Sequence, residues 1–502
     1  MPSSMARVGV IDERFQSYNV EMLEVTGGKF WRPYGPELEA LIKQPPPPSA
    51  SGDTPSGMSP ALYQYRPPID LANRRLRKLA SALGPAYVRV SGTWANTTYF
   101  PESDQAPPKP PAGFMGVLTR AQWKGVIDFA NAVDARIVTS FSNGAGTRDA
   151  AGGWTPEQAR RRIEYTRAAG GRIAAAEFMN EPTLAAMGGA PAGYDASAYG
   201  RDFRRFVAFA RQAVPDMLIL GPGSVGESTG EWGVAYGYGS APVLKTRDLL
   251  AASGPGIDAF SYHHYGAASK RCAATDKQTT AAEALSEQWL RRTDQTLAFY
   301  RRLRDEFTPG KSFWNTETAD AACGGNPWAA TFLDTFRYLD QLGRLARQDV
   351  KVVAHNTLVA SDYGLLDDKT LEPKPNYWGA LLWRRLMGTT VLESGIPVQQ
   401  GLHVYAHCLR GTPGAVALLV INNDKVAPRT IASPVPALRY TLAALGDLES
   451  RRVQLNGNEL RLGEGDTLPD LIGAPTPAGS QVFAPATITF LALPDAQNNA
   501  CR

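Results

Sequence analysis

Two strand-like runs, AYVRVSG (86–92) and RIVTSFSN (136–143), enclose the helix-like run AQWKGVIDFANAVD (121–134). The outer runs are short and rich in β-branched residues, whereas the middle run repeats apolar residues at helical spacing. A strand, a helix and a second strand in this order are typical of a parallel sheet covered by helices. This stretch therefore predicts an α/β fold.

The same alternation continues on both sides of the stretch. Six further strand candidates lie at 19–25, 175–182, 218–224, 259–266, 312–319 and 352–359, with helical patterns between them, for example at 156–170, 282–307 and 328–348. Together with the first two runs they make eight strand–helix units. This number predicts a (β/α)8 TIM barrel with enlarged loops, which we assign to residues 17–390.

The pattern changes after about Met387, where long helices stop. Short alternating strands follow at 403–410, 415–423, 439–445, 451–457 and 486–494. Alternating strands separated by turns predict a C-terminal β-sandwich domain, assigned to residues 391–502. The strand-like run near the N-terminus leads us to consider residues 6–16 as an addition to this sandwich.

Composition limits the partners of the chain. The 52 Lys and Arg residues nearly balance 48 Asp and Glu, which leaves a net charge of +4 and argues against nucleic-acid binding. No apolar stretch approaches the roughly 20 residues that span a bilayer, so we expect no membrane insertion. The 48 Gly and 38 Pro residues indicate long loops, such as 44–60 and 101–112, on a scaffold that carries function on its connections.

Polar residues lie at the carboxyl ends of two of the predicted barrel strands. The fourth strand ends Asn180-Glu181-Pro182, and the seventh contains Glu317 near its end. Active residues of such barrels gather at the carboxyl ends of the strands. Either glutamate alone also suits a first-turn helix acid stabilised by the helix dipole. Two in phase, three strands apart, favour glycoside hydrolysis, which needs one carboxylic acid and one carboxylate on opposite faces of a sugar.

Four longer motifs extend this interpretation. The motifs AEFMNEPT (176–183), SYHHYG (261–266), WNTETADAACGG (314–325) and SDYGLLDD (361–368) closely resemble, in order and spacing, the heparanase and β-glucuronidase family of glycoside hydrolases, family 79. The resemblance covers nearly the whole chain and suggests a single-chain, bacterial-type member. It implies a retaining hydrolase that cleaves β-glucuronidic bonds in glucuronic-acid-containing polysaccharide such as heparan sulfate. It also implies that Glu181 is the acid/base and Glu317 the nucleophile.

The resemblance also implies a set of substrate-binding residues. Asn180 would bind the sugar 2-hydroxyl, and the amides of Gly324 and Gly325 with the hydroxyl of Tyr363 would bind the C6 carboxylate. Tyr265 is the expected hydrogen-bond donor to the nucleophile. Further pocket candidates are His263, Glu21, Thr93 and Asn356.

The adjacent histidines His263 and His264 invite a metal interpretation. Neighbours on a strand point to opposite faces, so the two rings do not readily share one ion. One of them is expected to face the pocket and the other to pack between strands and helices. We predict no metal and no cofactor.

The four cysteines indicate the compartment. By the resemblance, Cys408 and Cys501 match a pair that the family bridges within its sandwich. Cys272 and Cys323 follow the sixth and seventh strands, so a second bridge is a hypothesis, with free thiols as the alternative. Structural disulfides favour an oxidising compartment, and we expect a secreted or periplasmic monomer whose signal peptide is not present in this chain.

Some segments depart from the family pattern. The short 101–112 loop stands where the animal enzyme has an excised linker, which predicts a single uncut chain. Segments 183–195 and 226–239 lack the basic clusters of the animal enzyme, which argues against tight heparin affinity. The aromatic residues Trp232, Tyr236 and Tyr238 suit either stacking on sugars or packing on the barrel rim. Two alternatives stay open: an exo-β-glucuronidase that releases terminal glucuronic acid, and a non-catalytic carbohydrate-binding protein.

Overall fold

The computed structural model describes residues 1–44, 54–55, 58–230, 243–272 and 278–502. Its first thirteen strands are β1 (Arg7–Val10), β2 (Gln16–Glu21), β3 (Gly28–Trp31), β4 (Tyr63–Arg66), β5 (Ala86–Ser91), β6 (Thr98–Tyr99), β7 (Gly116–Val117), β8 (Ala135–Ser140), β9 (Ile173–Glu177), β10 (Leu218–Ser224), β11 (Ala259–Ala268), β12 (Ser312–Ala322) and β13 (Val350–His355). The helices are α1 (Met22–Thr26), α2 (Pro36–Ile42), α3 (Arg74–Leu83), α4 (Arg120–Ala132), α5 (Glu157–Ala168), α6 (Ala196–Ala213), α7 (Thr246–Ser253), α8 (Glu287–Leu290), α9 (Arg292–Phe307), α10 (Phe332–Arg347) and α11 (Pro375–Leu386).

Eight parallel strands close into a barrel in chain order. The strands are β2, β5, β8, β9, β10, β11, β12 and β13, and β13 pairs with β2 to complete the ring. A layer of buried side chains fills one level of the interior: Tyr87, Val138, Ala175, Leu220, Ala259, Trp314 and Val352. The predicted (β/α)8 barrel is confirmed, with a packed core rather than a channel.

The first barrel strand is shorter than expected. It ends at Glu21, and residues 22–25, predicted as strand, belong to helix α1. The carboxylate of Glu24 accepts a hydrogen bond from the backbone N–H of Glu21 at 2.8 Å. This contact satisfies a donor at the helix start and fixes the chain reversal there. Glu21 therefore sits at the mouth of the barrel.

The C-terminal domain is built around one large antiparallel sheet. Its strands and those of the facing ribbon are β14 (Met387–Leu392), β15 (His403–Leu409), β16 (Val416–Asn422), β17 (Arg429–Ser433), β18 (Ala437–Ala444), β19 (Val453–Leu455), β20 (Asn458–Glu459), β21 (Ala474–Thr476), β22 (Gly479–Phe483) and β23 (Thr487–Leu493). The large sheet runs β1-β14-β15-β16-β23-β18-β19-β20 with β21 beside β18, and β17 pairs with β22. The sheet includes both β1 and the 387–390 segment, so it begins slightly before residue 391. These elements form the predicted β-sandwich.

A covalent bridge secures the end of the sandwich. Cys408 in β15 is bonded to Cys501, 93 residues later in the chain. In the chain-entropy model, closing a loop of this length stabilises the folded state by on the order of 4 kcal/mol. Among the described helices, none is both long enough and apolar enough to cross a bilayer.

Candidate active site

Two glutamates face each other at the carboxyl end of the barrel. Glu317 lies within β12, whereas Glu181 lies four residues beyond the end of β9 in a left-handed backbone conformation, with φ +47°. An oxygen of each carboxyl and a ring nitrogen of His263 all lie within 4.8 Å of one another. The two carboxyl groups are therefore close enough to act on one bond.

A neighbouring loop holds the backbone that carries Glu181. The side-chain oxygen of Asn96 accepts from the backbone N–H of Asn180 at 2.8 Å, and its amide nitrogen donates to the carbonyl of Asn180 at 3.0 Å. Because β9 ends at Glu177, these two hydrogen bonds hold the backbone at Asn180 in place of strand pairing. Asn96 was not anticipated from the sequence.

Arg89 is the central cation of the site, and sequence reasoning missed it. It lies in β5 with 1% of its surface exposed. Its Nη1 donates to Oε2 of Glu317 at 2.7 Å, and its Nε and Nη2 donate to Oε2 of Glu177 at 3.1 and 2.8 Å. Its Nη2 also lies 2.8 Å from Oδ1 of Asn180 and 3.2 Å from Nε2 of His263. One guanidinium thus joins two buried carboxylates to the strand end that carries Glu181.

The acidic groups of the site differ in protonation. Burial raises the pKa of Glu181 to about 7, helped by Glu177 and opposed by Arg89. Burial also disfavours the charge on Glu177, but Arg89 and hydrogen bonds outweigh it and hold its pKa below the usual value. Burial lowers the pKa of His263 to about 4, so its ring is neutral near pH 7. At this pH Glu181 can give a proton, and Arg89 is a cation that binds both Glu177 and Glu317.

A second group of polar side chains lies beside Glu317. The hydroxyl of Tyr265 donates to Oε1 of Glu317 at 2.5 Å. Burial raises the pKa of Tyr265 well above its usual value, so the hydroxyl keeps its proton. The Asn356 amide nitrogen lies 3.0 Å from the Tyr265 hydroxyl, and 3.1 Å from both Oε1 of Glu21 and the Tyr363 hydroxyl. These contacts bring four of the predicted pocket residues together around Glu317.

The cavity at the mouth of the barrel is lined by several elements. Its lining residues include Glu21, Trp31, Pro55, Met58, Tyr63, Thr93, Trp94, Glu181, Met187, Tyr265, Glu317, Cys323, Asn356 and Tyr363. Asn180 and His263 lie behind this surface rather than on it. Gly324 and Gly325 also lie just behind the wall, and Cys323 takes the lining position.

The loop that contains these glycines is tightly held from behind. Nη1 of Arg271 donates to the carbonyls of Cys323 and Gly325, both at 3.1 Å, and the Tyr34 hydroxyl donates to Gly325 at 2.9 Å. Gly324 has φ +82°, and a Cβ there would lie 2.8 Å from a ring atom of Trp31. Neither donor, Arg271 nor Tyr34, is among the residues that line the cavity.

A second disulfide reinforces the same loop. Cys323 is bonded to Cys272, which follows β11 on the neighbouring rim. The hypothesis of a second bridge therefore agrees with the structure, and no described cysteine is free. The aromatic residues Trp232, Tyr236 and Tyr238 lie outside the described residues.

The two adjacent histidines face opposite sides of β11. Nδ1 of His263 lies 3.0 Å from Oε1 of Glu181, inside the barrel. Nδ1 of His264 lies 2.9 Å from the hydroxyl of Thr296 on α9, outside it. Only His263 can therefore take part in chemistry at the mouth.

The sequence matches one family model over more than half its length. Residues 68–343 match the model of the glycosyl hydrolase family 79 N-terminal domain. The chain belongs to glycosyl hydrolase family 79. The resemblance noted in the sequence is thereby confirmed.

Relatives of this family 79 chain include enzymes and one protein described as inactive. It is 31% identical over 306 residues to mouse heparanase, which covers 58% of this chain and 54% of that protein. It is 29% identical over 386 residues to heparanase-like protein 1 of Arabidopsis thaliana, with coverage of 72% and 66%. It is 27% identical over 278 residues to human inactive heparanase-2, with coverage of 51% and 46%. The family 79 chain thus spans about half to two thirds of the curated relatives it matches.

Solved structures support the fold of the family 79 chain. An α-L-arabinofuranosidase from Thermotoga maritima has a TM-score of 0.63 at 13% identity, covering 98% of both chains. A 4-O-α-L-rhamnosyl-β-D-glucuronidase from Fusarium oxysporum has a TM-score of 0.61 at 14% identity, covering 98% of this chain and 99% of that one. At this identity the likeness concerns the barrel-plus-sandwich architecture alone.

Proposed function

We propose that the protein is a retaining β-glucuronidase that cleaves glucuronic-acid-containing polysaccharide, with heparan sulfate first among candidates. The observation that carries the proposal is the short separation of Glu181 and Glu317, with carboxyl oxygens within 4.8 Å of each other. Retaining enzymes hold their carboxyls about 5–5.5 Å apart, whereas inverting enzymes need about 6.5–9.5 Å to admit a water. The separation favours retention.

Glu181 is the proposed acid/base because its pKa of about 7 keeps a proton available near neutral pH. Glu317 is the proposed nucleophile because Arg89 and Tyr265 both donate to it, which stabilises its carboxylate form. Asn180, whose side-chain oxygen accepts from Arg89, is proposed to orient its amide toward the sugar 2-hydroxyl. Each role matches a chemical requirement of the two-step mechanism.

The C6 carboxylate of the sugar is proposed to bind between Tyr363 and the loop that begins at Cys323. The N–H groups of Gly324 and Gly325 make no hydrogen bond to another described residue. The Gly325 carbonyl accepts from Arg271 and Tyr34, and the Gly324 carbonyl accepts from the Ser361 hydroxyl. Free N–H groups attract a carboxylate. Because Cys323 lines the cavity, we include its amide as a third candidate donor.

The test is covalent labelling by a mechanism-based inhibitor of glucuronic acid configuration. We expect the wild type to be labelled on Glu317 and Glu317→Gln to remain unlabelled. Gly125→Ala on the distant helix α4, where a Cβ meets no atom within 4 Å, is the matched control and should label like the wild type. An unlabelled but folded wild type would reject the proposal.

The exo-acting alternative rests on the shape of the cavity. Pro55, Met58 and Met187 line it in addition to the barrel residues. Such walls would restrict the chain of sugars that passes beyond the cleavage point. Sizing the products from heparan sulfate separates the two actions, because release of monosaccharide alone would exclude endo cleavage.

The non-catalytic alternative is represented among the relatives by inactive heparanase-2. A binding protein needs neither an acid nor a nucleophile in register, whereas this chain has both Glu181 and Glu317 within one cavity. Tight binding of glucuronide oligosaccharides without labelling or hydrolysis would favour it over the proposed enzyme.

We also propose that the protein works in a secreted or periplasmic setting. All four cysteines form two disulfides, and such bridges persist in oxidising compartments. Quantifying free thiols in the denatured, unreduced protein tests this, since four free thiols would contradict both bridges.

A further inference from the structure

Among the described residues, each ring nitrogen of His263 has a single close polar neighbour. Nε2 lies 3.2 Å from Nη2 of Arg89, and Nδ1 lies 3.0 Å from Oε1 of Glu181. A guanidinium has only donors, so an N–H on Nε2 would point at another donor, and Nε2 therefore does not carry the proton. With burial lowering the pKa of His263 to about 4, the ring is neutral and its one proton is on Nδ1. Nδ1–H therefore donates to Oε1 of Glu181.

Arg89 cannot turn away from this ring. Its Nε and Nη2 are both held by Oε2 of Glu177, whose other oxygen accepts from the Thr316 hydroxyl at 2.7 Å. Its Nη1 is held by Glu317. The other charged groups that face His263 are Oε1 of Glu177 at 4.0 Å from Nε2 and Oε2 of Glu317 at 3.8 Å from Nδ1. Both distances are too long for a hydrogen bond.

This arrangement decides which oxygen of Glu181 is protonated. Oε1 accepts from His263, and an O–H on the same atom would compete with that bond. Oε2 makes no hydrogen bond to a described residue, and Glu181 lines the cavity. We propose that His263 is a positioning residue that keeps the proton of Glu181 on Oε2, facing the leaving-group oxygen. This inference rests on the proposed function.

The proposal fits both halves of the reaction. In the first, the Glu317 carboxylate bonds to the anomeric carbon while the glycosidic bond breaks, and the leaving oxygen takes the electron pair of that bond and the proton from Oε2. Glu181 is then a carboxylate, which Nδ1–H of His263 stabilises. In the second, Glu181 takes a proton from the water that attacks the anomeric carbon as Glu317 leaves. His263 keeps its proton on Nδ1 throughout.

Two substrates with different leaving groups test the role. A dinitrophenolate leaves without a proton, whereas an alkoxide needs one. For His263→Phe we expect kcat/KM to fall about 100-fold on an alkyl β-glucuronide, and less than about 3-fold on dinitrophenyl β-glucuronide. His263→Asn restores an N–H near the Nδ1 position and should recover about tenfold of the loss. Equal losses on the two substrates would overturn the proposal.

His264 provides the matched control, because it is equally buried but faces Thr296 outside the barrel. For His264→Phe we expect the same ratio of the two substrates as in the wild type. Inactivity of the wild type on both glucuronides would instead count against the proposed function.

A measurement on the wild type tests the position of the proton directly, and a variant is needed only to assign the signal. The chain has only five histidines, so nitrogen NMR of ¹⁵N-histidine-labelled protein is tractable, and the signal missing in His263→Asn identifies the ring. We expect protonated Nδ1 and unprotonated Nε2 between pH 5 and 8. A charged ring, or a proton on Nε2, would overturn the proposal.

Discussion

Two buried histidines of this molecule differ in charge near pH 7, because His263 is neutral whereas His403 is protonated. His263 lies between Arg89 and Glu181, and burial lowers its pKa to about 4. His403, in β15 of the sandwich, has Nδ1 2.5 Å from Oδ1 of Asp340 and Nε2 3.1 Å from Oε2 of Glu287. Burial opposes its charge, yet these carboxylates raise its pKa to about 9.

The difference lies in what touches the ring. His403 directly contacts two carboxylates of the barrel helices α10 and α8, so its imidazolium joins the two domains. His263 directly contacts a cation and an acid that is itself protonated. Glu317 and Glu177, at 3.8 and 4.0 Å from the ring, favour a charged ring, but burial and Arg89 outweigh them. A buried histidine is thus a cation that links the two domains at His403, and a neutral hydrogen-bond donor at His263.

Replacing Arg89 should have the largest effect of the changes considered, and it should remove the difference in charge between His263 and His403. In Arg89→Leu, Glu177 and Glu317 lose their charged partner inside the barrel. We expect a loss of about 3–5 kcal/mol in the free energy of unfolding and a fall in kcat/KM of about 10³-fold. We also expect the His263 ring to become charged near neutral pH, as His403 is. Urea unfolding, kinetics and nitrogen NMR measure the three effects.

Arg162→Leu is the control for this prediction, because Arg162 is also buried but donates to the carbonyl of Ser140. It should destabilise the protein without a comparable loss of kcat/KM. An Arg89→Leu enzyme with a neutral His263 would contradict the explanation of the contrast.

The ion pairs of His403 with Asp340 and Glu287 should make the free energy of unfolding depend on pH. The folded-state pKa of His403, about 9, exceeds the usual value of about 6.5. Its contribution is therefore complete below about pH 6.5 and is lost as pH rises to about 9, an effect of about 3 kcal/mol. We expect His403→Gln to remove this alkaline loss in urea unfolding between pH 6 and 9.5.

His407 supplies the comparison for that variant. It is buried, its Nδ1 bonds the carbonyl of Gly388 at 2.7 Å, and burial lowers its pKa to about 4. His407→Asn should keep the alkaline loss of stability. A similar loss in His403→Gln would mean that other groups are responsible.

Activity should show a smaller pH effect of independent origin. Glu181, with a pKa of about 7, must be protonated to assist departure of the leaving group. On an alkyl glucuronide, kcat/KM should therefore fall about tenfold per pH unit above 7. The fall in kcat/KM should be absent with dinitrophenyl glucuronide. It should occur at the same pH in His403→Gln, when the assays are made at pH values where the protein is folded. If the fall in kcat/KM shifts to another pH in His403→Gln, the ion pairs of His403 would be its cause instead.

The sequence predicts the barrel well because periodicity is a property of the chain alone. Seven of the eight barrel strands begin within two residues of their predicted starts. The first begins three residues earlier than predicted, at Gln16, and a local hydrogen bond between Glu21 and Glu24 accompanies its early end at Glu21. The glutamates were found because strand ends are recognisable positions in a barrel.

Arg89 was missed because it lies inside β5, and Glu177, the last residue of β9, was missed because the strand predicted there extends to residue 182. A signal was available, since each is a lone charge within an otherwise apolar strand of a barrel whose interior is packed. The charge of a histidine, in contrast, depends on partners from distant strands. No local pattern distinguishes His263 from His403.

Strand β1 has a consequence for how the protein folds. It pairs antiparallel with β14, from Arg7 with Leu392 to Val10 with Thr390, with a register shift between Arg7 and Gly9. Every barrel strand lies between these partners, so β1 leaves the ribosome before the barrel and its partner leaves after it. The edge of β1 must therefore stay unpaired while the barrel is synthesised. During that time it could pair with a strand of another chain. Completion of the sandwich thus depends on the barrel first bringing the two strands together.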